Sequence, residues 1–207
     1  MKFYQKILVK TANLFYSCKV FGKENIPEES AVICCNHLSA IDVLYLVNHF
    51  NKNTFFVAKK ELFQKKFSGS FLSSFGGIPI DRDNVDVSAL MNIIRMLKSG
   101  KNMVIFPEGT RNKTGTTELL PFKAGSVVLA MKTKKKVLPV IIYRKAKFLR
   151  KNYMIIGKPF DLNEFYEKTV TDKNVVRMEN YVRDKMVELQ KELFDKLNKK
   201  SKRRKAN

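Results

Sequence analysis

Apolar residues recur along this chain in two rhythms. Six short runs read as buried strands: AVICC (31–35), TFFVA (54–58), GGIPI (76–80), NMVIF (102–106), VLPVIIY (137–143) and YMIIG (153–157). Between them the spacing lengthens to three and four. Residues 86–99 carry Val87, Leu90, Ile94 and Leu97 at helical intervals, with Lys98 in the last turn and Gly100 just beyond it, a helix-stop signature. IDVLYLVNHF (41–50) and AGSVVLAMK (124–132) read as helices; KKELFQKKF (59–67) and GSFLSSF (69–75) read as shorter helical pieces. Met178, Val182, Met186, Leu189, Leu193 and Leu197 predict one long amphipathic helix over 172–197. At the other end, Phe3, Ile7, Leu8, Leu14 and Phe15 lie among Lys2, Lys6 and Lys10. That predicts an amphipathic helix with a basic polar face, suited equally to a membrane surface or to packing on the domain. FGKENIPEES (21–30), with Gly22 and Pro27, is a loop.

Strands alternating with helices from residue 31 to 157 define an α/β domain. A mostly parallel central sheet is flanked by helices through right-handed crossovers. The expected organisation is an N-terminal amphipathic helix (1–20), one domain (21–197) that includes the long C-terminal helix, and a basic tail (198–207).

Charge changes the picture. Forty Lys+Arg against 19 Asp+Glu give a net charge of +21 over 207 residues. Such a surface attracts nucleic acid, an anionic membrane or an acidic protein. Lys6 and Lys10 interrupt the one candidate signal sequence, and no window approaches the ~18 apolar residues of a membrane span. If the protein meets a membrane, the expectation is therefore that it lies on the surface. Three cysteines, Cys18, Cys34 and Cys35, have no metal spacing and point to free thiols in a reducing compartment, the cytoplasmic side.

Candidate chemistry falls where open α/β sheets bind ligands, beyond the carboxyl ends of the strands. The stretch CCNHLSAID holds one of only two histidines, His37, and five residues later Asp42. On one continuous helix residues five apart point about 140° apart. With His37 in the loop and Asp42 in the first turn of the helix, Nδ1–H reaches the carboxylate and Nε2 becomes the better base. Ser39 as N-cap with Asp42 at N3 is a capping-box variant, and a plain cap accounts for the same residues. FGGIPIDRD places Arg82 after a strand, and VIFPEGTRN places Glu108, Gly109, Thr110 and Arg111 after another. Arg111 offers a planar fork that matches phosphate oxygens in pairs. Lys123 stands at the start of a helix that could face an anion.

Together these groups resemble the glycerolipid acyltransferase family. Its N-H-x₄-D block is matched by Asn36, His37 and Asp42, and its G-x-I-x-I-D-R block by Gly76 or Gly77 through Ile80, Asp81 and Arg82. F-P-E-G-T-R appears unbroken as Phe106–Arg111, and the apolar run around a proline resembles VLPVII with Pro139. The resemblance spans roughly residues 20 to 160. Asn112 departs from the serine many members carry, a difference expected to have no consequence. The resemblance implies acyl transfer from acyl-CoA or acyl-carrier protein to the sn-2 hydroxyl of a lysophospholipid, lysophosphatidic acid by family default, giving phosphatidic acid. His37 is then the general base and Asp42 its orienting partner. Arg82 and Arg111 hold the acceptor phosphate in a pocket shaped by Glu108, Gly109 and Thr110, with Lys123 a further candidate. Pro139 borders the acyl chain. The family needs no metal and no redox cofactor.

Two other readings use the same residues. Cys35 as nucleophile beside His37 and Asp42 makes a thioesterase, although a buried cysteine is more often a small apolar residue. A basic nucleic-acid-binding module explains the charge. It leaves FPEGTR unexplained, and the chain has no zinc-finger spacing or aromatic-rich RNA motif, so no specific nucleic-acid partner is expected.

Overall fold

The computed structural model describes residues 3–50, 53–81, 87–166 and 171–205. Helix α1 (Phe3–Phe15) leads into strand β1 (Cys18–Phe21), a short 3₁₀ turn and β2 (Val32–Cys35). Then follow α2 (Asp42–His49), β3 (Thr54–Lys59), α3 (Glu61–Gln64), α4 (Lys66–Ser74) and β4 (Gly77–Ile80). The chain continues through α5 (Val87–Lys98), β5 (Asn102–Ile105), α6 (Gly125–Thr133), β6 (Val137–Ile142) and β7 (Asn152–Ile156), and closes with α7 (Asp172–Lys205).

The seven strands form one sheet in the order β1-β7-β6-β2-β5-β3-β4. All pairs are parallel except β6 with β7. β2 lies at the centre, and all four of its residues are buried because helices cover both faces. Alternation along β2 sends Val32 and Cys34 into one core and Ile33 and Cys35 into the other. The first core is closed by Ile93 and Leu97 of α5, Val127 and Ala130 of α6, and the α7 stripe Met178, Val182, Met186, Leu189 and Leu193. The second is closed by Tyr45 and Leu46 of α2 and by Phe75 at the end of α4. Topology dictates this division. From β2 the chain steps outward to β3 and β4, then reverses through β5 to β6. Right-handed crossovers in opposite directions must use opposite faces.

The predicted strands and helices are all present. β1 is the element the pattern does not disclose: four residues at the sheet edge are too short for a period to emerge. The basic residues after 197 do not form a separate tail where they are described, since α7 runs on through them to Lys205.

Pro139 sits inside β6, where a missing N–H ordinarily breaks a ladder. Here β6 and the chain after β7 pair at Val137↔Phe160 and again at Val140↔Ile156. Residues 138–139 therefore oppose residues 157–159 in a bulge, which removes the need for that donor. The Pro139 carbonyl still accepts from the Gly157 N–H at 2.9 Å.

Truncating Met186, which is fully buried under the sheet, is expected to cost about 2–5 kcal/mol. Val187, 41% exposed on the same helix, serves as the control, with an alanine substitution changing stability by roughly 0.5 kcal/mol or less. Urea unfolding checks this: a lowered midpoint at constant m for Met186→Ala alone is the expected result, and equal midpoints would contradict the packing of α7.

Candidate active site

β2 ends at Cys35, and the next residue keeps the sheet pairing without backbone geometry. Asn36 is buried; its amide donates to the Ile142 carbonyl at 3.0 Å and accepts from the Ile142 N–H at 2.7 Å. The side chain thus stands in for a strand residue while the main chain turns away. That turn carries His37 over the carboxyl end of the sheet.

Asp42 meets it there. The Asp42 carboxylate is fully buried, and its Oδ2 accepts from the Leu38 N–H at 2.6 Å, the Ser39 N–H at 2.7 Å and His37 Nδ1 at 3.0 Å. Oδ1 accepts from the Ser39 hydroxyl at 3.0 Å. The Ser39 oxygen in turn accepts from the Ile41 N–H at 3.2 Å. Helix start and histidine–carboxylate pair are one arrangement: the Asp42 carboxylate takes the Ser39 N–H as in a capping box, but the Ser39 hydroxyl oxygen takes the Ile41 N–H, and the Asp42 N–H bonds the Ser39 carbonyl one tight turn ahead of the regular helix. Because an ionised carboxylate only accepts, Nδ1 carries the proton and Nε2 is left with a free lone pair.

A second carboxylate holds the histidine from behind. Glu108 is 2% exposed; Oε1 accepts from the His37 N–H at 2.9 Å and Oε2 from the Leu120 N–H at 3.0 Å. Burial pushes its carboxyl above the usual range, and the two backbone N–H groups pull it back. The loop closes the grip: the Asn112 N–H donates to the His37 carbonyl at 2.7 Å, and the Phe106 ring stacks on the imidazole with centroids 3.9 Å apart. Glu108 thus braces two loops, with each of its oxygens on a backbone donor. Asn112 also has a consequence that the sequence did not suggest. Its amide donates to the Glu118 carbonyl at 2.7 Å, and its oxygen accepts from the Thr114 N–H and hydroxyl, which orders residues 112–118.

His37 opens into a cleft of about 410 Å³. Val43, Phe56, Leu62, Phe71, Leu72 and Phe106 give it apolar walls, while Lys59, Arg111 and Lys113 make its rim basic. Gly109 and Thr110 line it as well. Gly109 has φ +67, in the left-handed region that favours glycine; a Cβ there would also lie 2.7 Å from Cδ of the Lys123 side chain, which would have to move aside. The Lys123 stem therefore covers Gly109, and Lys123 is not among the residues lining the cleft. Arg82 lies outside the described residues. Its neighbour Asp81 pairs with Lys60 at 2.8 Å and ties the ends of β3 and β4.

Pro139 does not border this cleft. It lines a separate cavity of about 500 Å³ toward the amino ends of the parallel strands, with Gly157 and Leu189. The polar residues there include ion-paired Lys185–Glu188 and Lys196–Glu192. Size does not make it the reactive site, because the histidine–carboxylate pair opens elsewhere. Nor is Cys35 a nucleophile: its thiol is wholly buried, and desolvation holds it well above the ordinary thiol range.

Among the described residues the site thus brings together an imidazole held by a buried carboxylate, apolar walls and a cationic rim. The chain belongs to the acyltransferase family, whose pattern matches residues 17–143. A 1-acyl-sn-glycerol-3-phosphate acyltransferase of Bacillus subtilis is 35% identical over 175 residues, covering 79% of this chain and 84% of the relative. The enzyme of that name from Borreliella burgdorferi is 37% identical over 136 residues, and the match spans 54% of its length. The crystal structure of the 1-acyl-sn-glycerophosphate (LPA) acyltransferase PlsC from Thermotoga maritima superposes with a TM-score of 0.64 at 26% identity, covering 92% of this chain and 84% of that one.

Asp42→Asn isolates the charge from the scaffold, because the amide oxygen can take the place of Oδ2 toward the backbone donors. The expected result is a folded protein with kcat reduced by about 10²–10⁴. Unfolding curves and single-turnover rates measured on the same preparation check it; an unchanged kcat would remove Asp42 from the reaction.

Proposed function

We propose that the protein transfers an acyl group from acyl-CoA or acyl-carrier protein to the sn-2 hydroxyl of 1-acyl-sn-glycerol 3-phosphate, forming phosphatidic acid at an anionic membrane surface. The observation that carries this reading is the His37–Asp42 pair at 3.0 Å, facing a cleft that is apolar within and basic at its rim.

The reaction follows from that arrangement. Nε2 of His37 takes the proton of the acceptor hydroxyl as its oxygen attacks the thioester carbonyl. The imidazolium that forms lies against the Asp42 carboxylate and under the face of Phe106, both of which favour the cation. The tetrahedral adduct collapses, the C–S bond breaks, and the departing thiolate takes the proton back from His37. No metal or redox step is involved. Positioned base catalysis supplies about 10²–10⁴-fold. Holding hydroxyl and thioester together supplies much of the remainder, as effective molarities of up to about 10⁵–10⁸ M allow. In this reading Arg111, with Lys59 and Lys113, meets the acceptor phosphate, and the apolar walls accept acyl chain. Arg82 stays a candidate for the same phosphate. The names of the Bacillus, Borreliella and Thermotoga relatives support the choice of acceptor.

His37→Ala should abolish transfer, with folding intact by circular dichroism. Near wild-type acylation of lysophosphatidic acid by this variant, measured by product mass, would rule out the base. Arg111→Ala should act mainly on recognition, raising KM for the phosphate-bearing acceptor by roughly tenfold or more with a smaller change in kcat. An unchanged KM would place the phosphate elsewhere.

A further inference from the structure

The loop joining β6 to β7 has no part in the site described so far. Lys147–Arg150 form a tight turn, closed by the Arg150 N–H to the Lys147 carbonyl at 3.2 Å. Its two central residues are Phe148, 58% exposed, and Leu149, 70% exposed. Leu149 has φ +56, a left-handed conformation that turns normally give to glycine or asparagine. Both the exposure and the backbone strain are unfavourable in water, and Lys145, Lys147 and Lys151 surround the apolar tip with exposed charge.

The loop is held firmly. The Arg150 guanidinium donates to the Lys145 carbonyl at 2.6 Å, Arg144 to the Lys151 carbonyl at 3.0 Å, and the Asn152 amide to the Arg144 carbonyl at 2.7 Å. Its tip is also joined to α1. The Leu149 N–H donates to the Phe15 carbonyl at 2.7 Å, and the rings of Phe15 and Phe148 stack with centroids 5.1 Å apart. On α1 itself Ile7 and Leu14 are 49% and 72% exposed, beside exposed Lys10.

Topology fixes where this surface lies. β6 runs parallel to β2, so the chain leaves both strands at the same end of the sheet. Asn36 bonds to Ile142 at that end, one residue before His37. β1 starts in register with β7, Cys18 opposite Asn152, which brings the end of α1 there too.

We propose that the 145–151 loop, with Phe148 and Leu149 as the inserting residues, and α1 form one surface that docks on an anionic bilayer. The sheet end that bears His37 is thereby turned toward the lipid. The proposal rests on the acyl-transfer reading for its purpose, since a lysolipid acceptor resides in a membrane. Charge complementarity selects the occupant: an apolar tip within a ring of lysines matches an interface that offers hydrocarbon beneath negative headgroups. RNA would engage the lysines and leave the apolar tip with nothing to bury against.

The chain contains no tryptophan, so Phe148→Trp makes a single emitter at the tip. With vesicles of phosphatidylglycerol and phosphatidylcholine its emission should shift to the blue, and lipids brominated on their acyl chains should quench it, at low and high salt alike. Val187→Trp on α7 should show neither effect. Phe148→Ser combined with Leu149→Ser should lower vesicle affinity about tenfold or more. Unshifted Phe148→Trp emission from vesicle-bound protein, wild-type affinity of the double variant, or salt-abolished binding that RNA matches would each overturn the proposal. None of these readouts needs turnover, and each should be the same in a His37→Ala background. Failure of the acyl-transfer reading is therefore told apart from failure of this one.

Discussion

The structure around the reactive histidine depends on one buried anion. Asp42 is fully desolvated, yet its carboxylate receives four donors: two backbone N–H groups, a hydroxyl and the imidazole. A carboxylate taken out of water costs several kcal/mol, and hydrogen bonds to a charged acceptor return on the order of 1.5–3 kcal/mol each. The anion is tolerable only because the 37–42 turn wraps it, and the turn keeps its shape only because the anion is inside. Stability and catalytic geometry are thus the same set of contacts. Glu108 repeats the device from the other side, holding the backbone of His37 where Asp42 holds its ring. An imidazole fixed at both main chain and side chain loses little rotational freedom when it takes up a proton, which is what a base presented to a transient alkoxide requires.

Much of this was legible in the sequence, and the reasons are specific. The strands of the parallel sheet announced themselves because both their faces are covered, leaving continuous apolar runs. The stripe on α7 appeared because one face of a long helix is buried at steps of three and four. Spacing allowed His37 and Asp42 to pair once a loop and a helix start were placed between them, and the other blocks of the resemblance chose the pair over a plain cap. What stayed hidden were contacts made by main chain. The Asn112 N–H that holds the His37 carbonyl has no signature, since any residue but proline supplies it. The inward turn of Glu108 leaves no mark in FPEGTR, and Lys59 and Lys113 line the cleft from segments whose own patterns show only a short helical piece and a loop. Pro139 was placed beside the acyl chain by the resemblance alone, and the pattern of its own apolar run does not show that it sits in a bulge, away from the cleft that His37 lines.

In the acyl-transfer reading, the distribution of sign around the cleft lets a phosphate and a base work side by side. Asp42 and Glu108, buried and negative, lie behind the imidazole, while Lys59, Arg111 and Lys113 stand at the rim. Rim cations that neutralise the phosphate cancel its field at the imidazole, and the nearby buried carboxylate of Asp42 then favours the imidazolium as it forms. Asp42 acts most strongly once the proton has moved, because only then does the ring carry a charge. The positive rim therefore does more than attract an anionic substrate: it leaves the stabilisation of the forming imidazolium to Asp42.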